Sequence, residues 1–152
     1  MNNNISVLIA DDNEDLAKEL SSYIGAKPNM TVTAIATDGE DAYTLISQTR
    51  PDIIILDLVM PKLDGIGVLK RMQTLTFDKK PKIIVYSVSS IAIKMAASVS
   101  PLIDYCLLKP QSNERVYEVI QDLTSVPMVS AIPLSHNITA QKAEETDLEN
   151  YR

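Results

Sequence analysis

The sequence is poor in cysteine, glycine and tryptophan. It has one cysteine (Cys106), no tryptophan and only 4 glycines in 152 residues. A single cysteine excludes an internal disulfide and favours a reducing compartment such as the cytoplasm. With so few glycines, and no glycine- or serine/threonine-rich loop after the first apolar segment, a flavin-phosphate site is also disfavoured.

Long apolar runs and an excess of positive charge are missing as well. No apolar segment approaches the roughly 20 residues needed to span a membrane. The N-terminal MNNNISVLIADD has no basic region of the kind that opens a signal peptide. A net charge of -6 argues against binding nucleic acid or anionic lipid through general electrostatics. We therefore expect a cytoplasmic chain with no membrane partner, which contacts DNA only through another domain.

Short aliphatic segments alternate with amphipathic segments along residues 1–124. The aliphatic and β-branched segments predict strands at 5–10, 30–36, 53–56, 82–87 and 102–108. Apolar residues at helical spacing predict helices within 13–25, 38–49, 65–75, 90–99 and 113–123. This alternation predicts an α/β domain with a parallel sheet covered on both faces.

The pattern ends near residue 125. The last segment, VPMVSAIPLSHNITAQKAEETDLENYR, has two prolines, mixed polar residues and an acidic run. We predict that 125–152 is a linker or tail, with at most a weak helix close to its end.

Polar side chains follow the predicted strands at the points where they end. Asp11 and Asp12 follow the first strand, Asp57 follows the third, Ser87 ends the fourth and Lys109 follows the fifth. Ligands of open parallel sheets bind beyond the carboxyl ends of the strands, so these side chains should converge in one crevice. Each residue alone also fits a turn, a helix cap or a solvated side chain; the joint spacing is what favours a site.

Three clustered carboxylates repel one another unless a cation intervenes. Mg²⁺ is the natural candidate for such oxygen ligands, with Mn²⁺ or Ca²⁺ as alternatives. A metal held by Asp12 and Asp57 would draw a phosphoryl group to the same place, and Asp57 could then act as a nucleophile. Lys109 and Ser87 would contact the phosphoryl oxygens.

Four segments, in this order and spacing, resemble the receiver domain of two-component response regulators: IADDN, LDLVMPKLDG, YS and LLKP. The resemblance covers about residues 4–124, and LDLVMPKLDG is its most specific part. It implies a flavodoxin-like (βα)5 fold, a doubly wound parallel five-stranded sheet in the order 2-1-3-4-5. It also implies a receiver domain at 1–124, with a histidine kinase or phosphotransferase as phosphodonor.

The resemblance assigns a role to each site residue. Asp57 would be the phosphoacceptor, Asp12 would bind Mg²⁺ directly, Asp11 would bind it through water, and the Val59 carbonyl would be a further ligand. Ser87 would be the switch hydroxyl and Lys109 the phosphoryl-binding lysine. The loop after the acceptor would be shaped by Pro61 and Gly65, the glycine allowing a backbone turn that other residues resist.

A narrower resemblance concerns the segments IADDNEDLAKELSSYI, MTVTAIATDGEDA and LDLVMPKLDGIGVL. They are similar to the sporulation stage-zero transcription regulator of endospore-forming bacteria, which is fed by a phosphorelay. This likeness implies that the tail leads to a helical DNA-binding domain outside this chain. A homodimer through the fourth helix, fifth strand and fifth helix is left open.

Four positions depart from the receiver pattern, all in or beside the last two strands. Val88 replaces a small residue and its bulk could narrow access to Asp57. Cys106 stands where an aromatic switch residue is usual, and we expect it to be a small core residue with Tyr105 on the opposite face of the strand. Leu102-Ile103 replaces Gly-Ala, and Gln111 replaces an aromatic residue. The acceptor half fits the pattern and the relay half is altered.

Two other classes of function compete with a phosphoacceptor. A degenerate pseudo-receiver would keep the fold as a binding or dimerisation module without phosphorylation. An aspartyl-phosphate hydrolase of the dehalogenase type would need an aspartate two residues after the nucleophile, where this chain has Val59. We therefore expect a signalling domain that assists only its own phosphoryl transfer and dephosphorylation.

Overall fold

The computed structural model describes residues 3–125, which form a parallel sheet of five strands in the order β2-β1-β3-β4-β5. The strands are β1 (Ile5–Ala10), β2 (Met30–Ala36), β3 (Ile53–Leu56), β4 (Lys82–Ser87) and β5 (Ile103–Leu108). The helices are α1 (Glu14–Gly25), α2 (Gly39–Thr49), α3 (Gly65–Met72), α4 (Ser90–Val99) and α5 (Asn113–Thr124). The predicted flavodoxin-like fold and its strand order are confirmed.

Each strand sends alternate side chains to opposite faces of the sheet, and this alternation divides the core in two. One cluster contains Ile54 and Leu56 of β3 together with residues of α2, α3 and α4. The other contains Ile53 and Ile55 with residues of α1 and α5. The four aliphatic residues of β3 are therefore buried on both faces, at exposures of 0–2%. Because β3 is packed on both faces, it holds the residue that follows it, Asp57, in a fixed position.

Every helix begins at a polar residue whose side chain accepts a hydrogen bond from a backbone N–H of the first turn. These N-caps are Asn13, Asp38, Asp64, Ser89 and Ser112. Such caps fix the residue at which a helix begins, because they satisfy N–H groups that have no partner within the helix. The predicted helix starts therefore agree closely with the observed ones.

The end of α3 differs from the prediction of a helix up to Leu75. The α-helix ends at Met72, and the next three residues form tighter i→i+3 bonds, Gln73 N to Lys70 O, Thr74 N to Arg71 O and Leu75 N to Met72 O. Such 3₁₀-type turns are common at helix C-termini, and apolar spacing alone does not distinguish them from a continued helix.

The predicted tail, apart from Ser125, lies outside the described residues, as does the weak helix expected near its end. Among the helices of residues 3–125, none has the length and apolar character required to cross a bilayer.

Candidate functional site

The backbone bonds of the sheet continue one residue beyond three of the strands, and this carries the predicted site residues to one edge. Asp11 N donates to Ala36 O at 2.9 Å and Asp57 N donates to Ala10 O at 2.9 Å. Lys109 N donates to Ser87 O at 2.8 Å. These residues are thus positioned by main-chain bonds to neighbouring strands.

Lys109 lies between two of the predicted carboxylates. Its Nζ donates to Asp11 Oδ2 at 2.6 Å and to Asp57 Oδ2 at 3.2 Å. All three side chains are largely buried: Lys109 is 10% exposed, Asp11 6% and Asp57 7%. Charge-assisted bonds of this length between buried groups are among the stronger polar contacts in proteins. Lys109 therefore compensates part of the negative charge that Asp57 carries in its buried position.

The second oxygen of each buried carboxylate caps the turn that follows it. Asp11 Oδ1 accepts from Asn13 N at 2.9 Å, and Asp57 Oδ1 accepts from Val59 N at 3.2 Å. Both bonds join a residue to the N–H two positions later, which is the Asx-turn pattern. Each carboxylate therefore has one oxygen held by the backbone and the other directed to Lys109.

The pKa values of Asp11 and Lys109 reflect this arrangement. Burial raises the pKa of Asp11 above 3.8, and the nearby Asp57 charge adds to the rise, although the Lys109 hydrogen bond and the Asn13 N–H oppose it. Burial alone would lower the pKa of Lys109, but its bond to Asp11 and the charges of both carboxylates outweigh burial and raise that pKa above 10.5. The ammonium is therefore held firmly in its charged form.

Asp12 completes a set of three carboxylates. Asp11, Asp12 and Asp57 each offer an oxygen within 4.8 Å of the others, with Asp12 exposed and the other two buried. Three carboxylates against one ammonium leave an excess of two negative charges. Hard oxygen donors with one member open to water suit a small divalent cation that keeps some of its waters. The residues present thus fit Mg²⁺.

Ser87 and Val59 lie beside this cluster. Ser87 is fully buried, its carbonyl binds the backbone of Lys109, and its hydroxyl accepts a long bond of 3.5 Å from Ser89 N. Val59 is 54% exposed, and its N–H is the group that binds Asp57. The fold therefore brings both residues to the site edge. The hydroxyl of Ser87 is bonded to the N-cap residue of α4 rather than to the carboxylates.

Gly65 is needed for a different reason from the one predicted. Among the described residues no glycine has a positive φ; the left-handed residue of this loop is Lys62, at φ 68. A Cβ on Gly65 would instead lie 2.3 Å from Asp57 O and 2.7 Å from Leu58 Cα. The absence of a side chain lets α3 start directly against the backbone of the acceptor residue.

The positions that depart from the receiver pattern differ in burial, and those in a core cluster, Cys106 and Leu102-Ile103, lie on the same face of the sheet. Val88 is 66% exposed, so most of its bulk is in solvent. Cys106 is buried in the cluster beneath α2, α3 and α4, as expected of a core residue. Tyr105 points to the opposite cluster, also as expected.

Sequence reasoning missed one residue of the site. The sequence presents Tyr86 only as part of the YS segment, yet its ring centroid lies 5.3 Å from Lys109 Nζ. Its hydroxyl donates to Gln111 O at 3.1 Å and accepts from Gln111 N at 3.0 Å. A tyrosine directly before Ser87, after the aliphatic run IIV of the strand, is the available signal.

Comparison with known proteins gives a consistent result. The family model described as "Response regulator receiver domain" matches residues 7–121. The receiver domain of the Francisella response regulator 1452 is similar at 28% identity and TM-score 0.68, covering 79% of this chain and 96% of that one. A DNA-binding response regulator of the LuxR family from Staphylococcus aureus is similar at 26% identity and TM-score 0.71, covering 80% and 99%. A CheX–CheY–BeF3–Mg²⁺ complex from Borrelia burgdorferi contains a chain similar at 26% identity and TM-score 0.68, covering 80% and 90%.

Proposed function

We propose, since this chain belongs to the family of response regulator receiver domains, that Asp57 accepts a phosphoryl group from a phosphohistidine. The observation that carries the proposal is the convergence of Asp57, Asp11 and Lys109 through bonds of 2.6 and 3.2 Å at the sheet edge. Receiver domains are signalling domains, so the expected product is a modified state of this chain and not a released metabolite.

The transfer exchanges one bond to phosphorus for another. An oxygen of the Asp57 carboxylate attacks phosphorus as the P–N bond of the phosphohistidine breaks. The electron pair of that bond returns to the imidazole, which leaves as a neutral ring because its other nitrogen carries a proton. Asp57 Oδ2 suits this step because its contact is with the ammonium of Lys109, whereas Oδ1 accepts a hydrogen bond from Val59 N. Lys109 can then follow the transferred group as a point charge.

Asp12, Asp11, Asp57 and the Val59 carbonyl would hold Mg²⁺. When bound, the metal supplies positive charge that offsets the carboxylates and the incoming phosphoryl oxygens. The likeness to a chain crystallised with BeF3 and Mg²⁺ supports this assignment.

The test is incubation with Mg²⁺ and a small acyl phosphate, followed by intact-mass measurement. We expect one phosphoryl adduct on the wild-type chain, none on Asp57→Asn, and none when the metal is chelated. Asp15→Asn is the matched control, because Asp15 is an exposed aspartate in the first turn of α1 outside the cluster. The wild-type chain remaining unmodified, also with a phosphohistidine protein as donor, would favour the pseudo-receiver function instead.

The output is proposed to be transcriptional, through a DNA-binding domain that follows the tail. The likeness to the S. aureus DNA-binding response regulator supports an output of this kind, and the three segments similar to the stage-zero regulator favour sporulation genes as targets. Chromatin immunoprecipitation of the full-length protein, with and without Asp57→Asn, would identify the promoters. Targets unrelated to sporulation would remove the narrower assignment and leave the receiver function intact.

A second copy of this chain is the proposed partner of α4. Large apolar side chains are exposed at helical spacing along and just before this helix, at 48–71% exposure: Val88, Ile91, Met95 and Val99. Exposed apolar stripes of this kind mark interaction surfaces. Analytical ultracentrifugation of the phosphorylated chain should show a dimer that Ile91→Lys abolishes. A monomer under all conditions would contradict the dimer.

A further inference from the structure

Tyr86 and Ser87 are consecutive residues of β4, and between them they hold both sides of Lys109. The Ser87 carbonyl accepts from Lys109 N at 2.8 Å. The Tyr86 hydroxyl exchanges two hydrogen bonds with the backbone of Gln111, two residues after Lys109. The short segment that carries the lysine is therefore fixed at its start and at its end by the same strand.

Gln111 closes the segment from its own side. Its Nε2 donates to Leu108 O at 2.9 Å, so the side chain of Gln111 bridges back to the residue before Lys109. Gln111, which stands where receivers commonly have an aromatic residue, is thus bonded through its side chain to Leu108 and through its backbone to Tyr86. In this network the Tyr86 hydroxyl is the group that binds the Gln111 backbone.

The aromatic ring of Tyr86 also lies next to the ammonium of Lys109, the residue whose segment these hydrogen bonds hold. Lys109 Nζ is 5.3 Å from the ring centroid, within the range of a cation–π contact. Tyr86 is 3% exposed, and burial raises the pKa of its hydroxyl, which keeps the proton that it donates to Gln111 O. A buried tyrosine with both hydroxyl functions used is a fixed element and not a surface side chain.

We propose that Tyr86 is a positioning residue for Lys109, which sets the place of the ammonium between Asp11 and Asp57 by fixing the segment Lys109–Gln111. This inference rests on the proposed phosphoacceptor function. Removal of the hydroxyl leaves Gln111 N and O without their partner and lets the lysine backbone drift. If the free energy of about one net hydrogen bond is lost from the transition state, phosphoryl transfer slows on the order of fivefold.

The test compares the rate of adduct formation in Tyr86→Phe and Tyr105→Phe, with and without Lys109→Gln. Tyr105→Phe is the matched control, because Tyr105 lies in the same core cluster and its hydroxyl accepts at 2.9 Å from Nη2 of Arg115, a residue of α5 outside the segment Lys109–Gln111. We expect Tyr86→Phe to slow the reaction and Tyr105→Phe to leave it nearly unchanged. In the Lys109→Gln background, Tyr86→Phe should add nothing, since residues that act through one group are not additive.

A spectroscopic readout separates this inference from the proposed function. The ammonium of Lys109 can be followed by ¹⁵N NMR at low temperature, without any phosphodonor. A signal displaced or broadened by Tyr86→Phe, and unaffected by Tyr105→Phe, supports positioning even if the wild-type chain forms no adduct. An unchanged signal, or equal slowing by Tyr86→Phe in both Lys109 backgrounds, would overturn it.

Discussion

Replacing Lys109 with methionine should destabilise the domain far more than replacing any exposed lysine. The ammonium makes contacts of 2.6 and 3.2 Å to two buried carboxylates, which lose their counter-ion in Lys109→Met. Breaking a buried ion pair by removing one partner costs about 3–5 kcal/mol. Asp11 and Asp57 each keep a backbone N–H as partner, so we expect the lower end, about 3 kcal/mol. For a domain of this size that is a fall of roughly 10 °C in Tm.

The loss of unfolding free energy in Lys109→Met should depend on pH. The pKa of Lys109 is raised in the folded state, so its stabilising contribution is complete below 10.5 and disappears as the pH rises through the folded value. The pKa of Asp11 is also raised, and removal of Lys109 raises it further because a cation that lowered it is gone. Folding of the variant is therefore favoured as the Asp11 carboxyl takes up a proton. The difference between wild type and variant should be largest near neutral pH, and should narrow both towards about pH 4 and at strongly alkaline pH.

The assay is urea denaturation at several pH values, with Lys79→Met as control. Lys79 is also paired with an aspartate, at 3.7 Å from Asp52, but it is 84% exposed, so its replacement should change the unfolding free energy by about 0–1 kcal/mol. Mg²⁺ should restore part of the stability of Lys109→Met, because the metal supplies the missing positive charge. A loss below about 1 kcal/mol, or a loss that stays constant from neutral to acidic pH, would refute the description of Lys109 as the counter-ion of two buried carboxylates.

Two further predictions concern the loop and the metal. Gly65→Ala should lower the unfolding free energy by about 1–3 kcal/mol in urea denaturation, because the new Cβ would lie 2.3 Å from Asp57 O. An unchanged midpoint would mean that α3 can shift away from the Asp57 backbone without a loss of stability. Mg²⁺ at 100 times its Kd should stabilise the wild-type chain by about 2.7 kcal/mol, and the same concentration should stabilise Asp12→Ala clearly less, as measured by thermal denaturation with Asp15→Ala as control. Equal stabilisation of both variants would place the metal elsewhere.

The sequence was sufficient to predict the fold because its local signals agree with one another. The aliphatic segment Ile53–Leu56 has no polar face and so must lie between two layers, and a polar cap precedes every helix. The errors fall where several backbone geometries suit the same residues. Apolar spacing in α3 continues to Leu75 although the α-helix ends at Met72, and Gly65 serves close packing and not a positive φ.

The sequence predicts that Asp11, Asp57 and Lys109 lie together, but it predicts neither the bonds among them nor the place of Tyr86 in the site. Residue types at strand ends and the register of a parallel sheet are enough to bring Asp11, Asp57 and Lys109 to one edge. The shorter of the two lysine contacts is with Asp11, 98 residues away in sequence, and no local pattern ranks it above the contact with Asp57. The role of Tyr86 was hidden for the same reason, because its hydroxyl binds backbone atoms of Gln111, which carry no signature in the sequence.

The negative charge of Asp11 bears on how Lys109 would bind a phosphoryl group on Asp57. Lys109 makes its shortest contact with Asp11, and this carboxylate would compete with a phosphoryl group for the same ammonium. A divalent cation among Asp11, Asp12 and Asp57 would offset the remaining negative charge and weaken the hold of Asp11 on the lysine. The lysine could then turn to the acceptor side without leaving a buried carboxylate unpaired, a state that costs several kcal/mol. Metal binding and the proposed phosphoryl transfer would therefore be coupled through one ammonium, and Tyr86, which binds the backbone two residues after Lys109, would affect both.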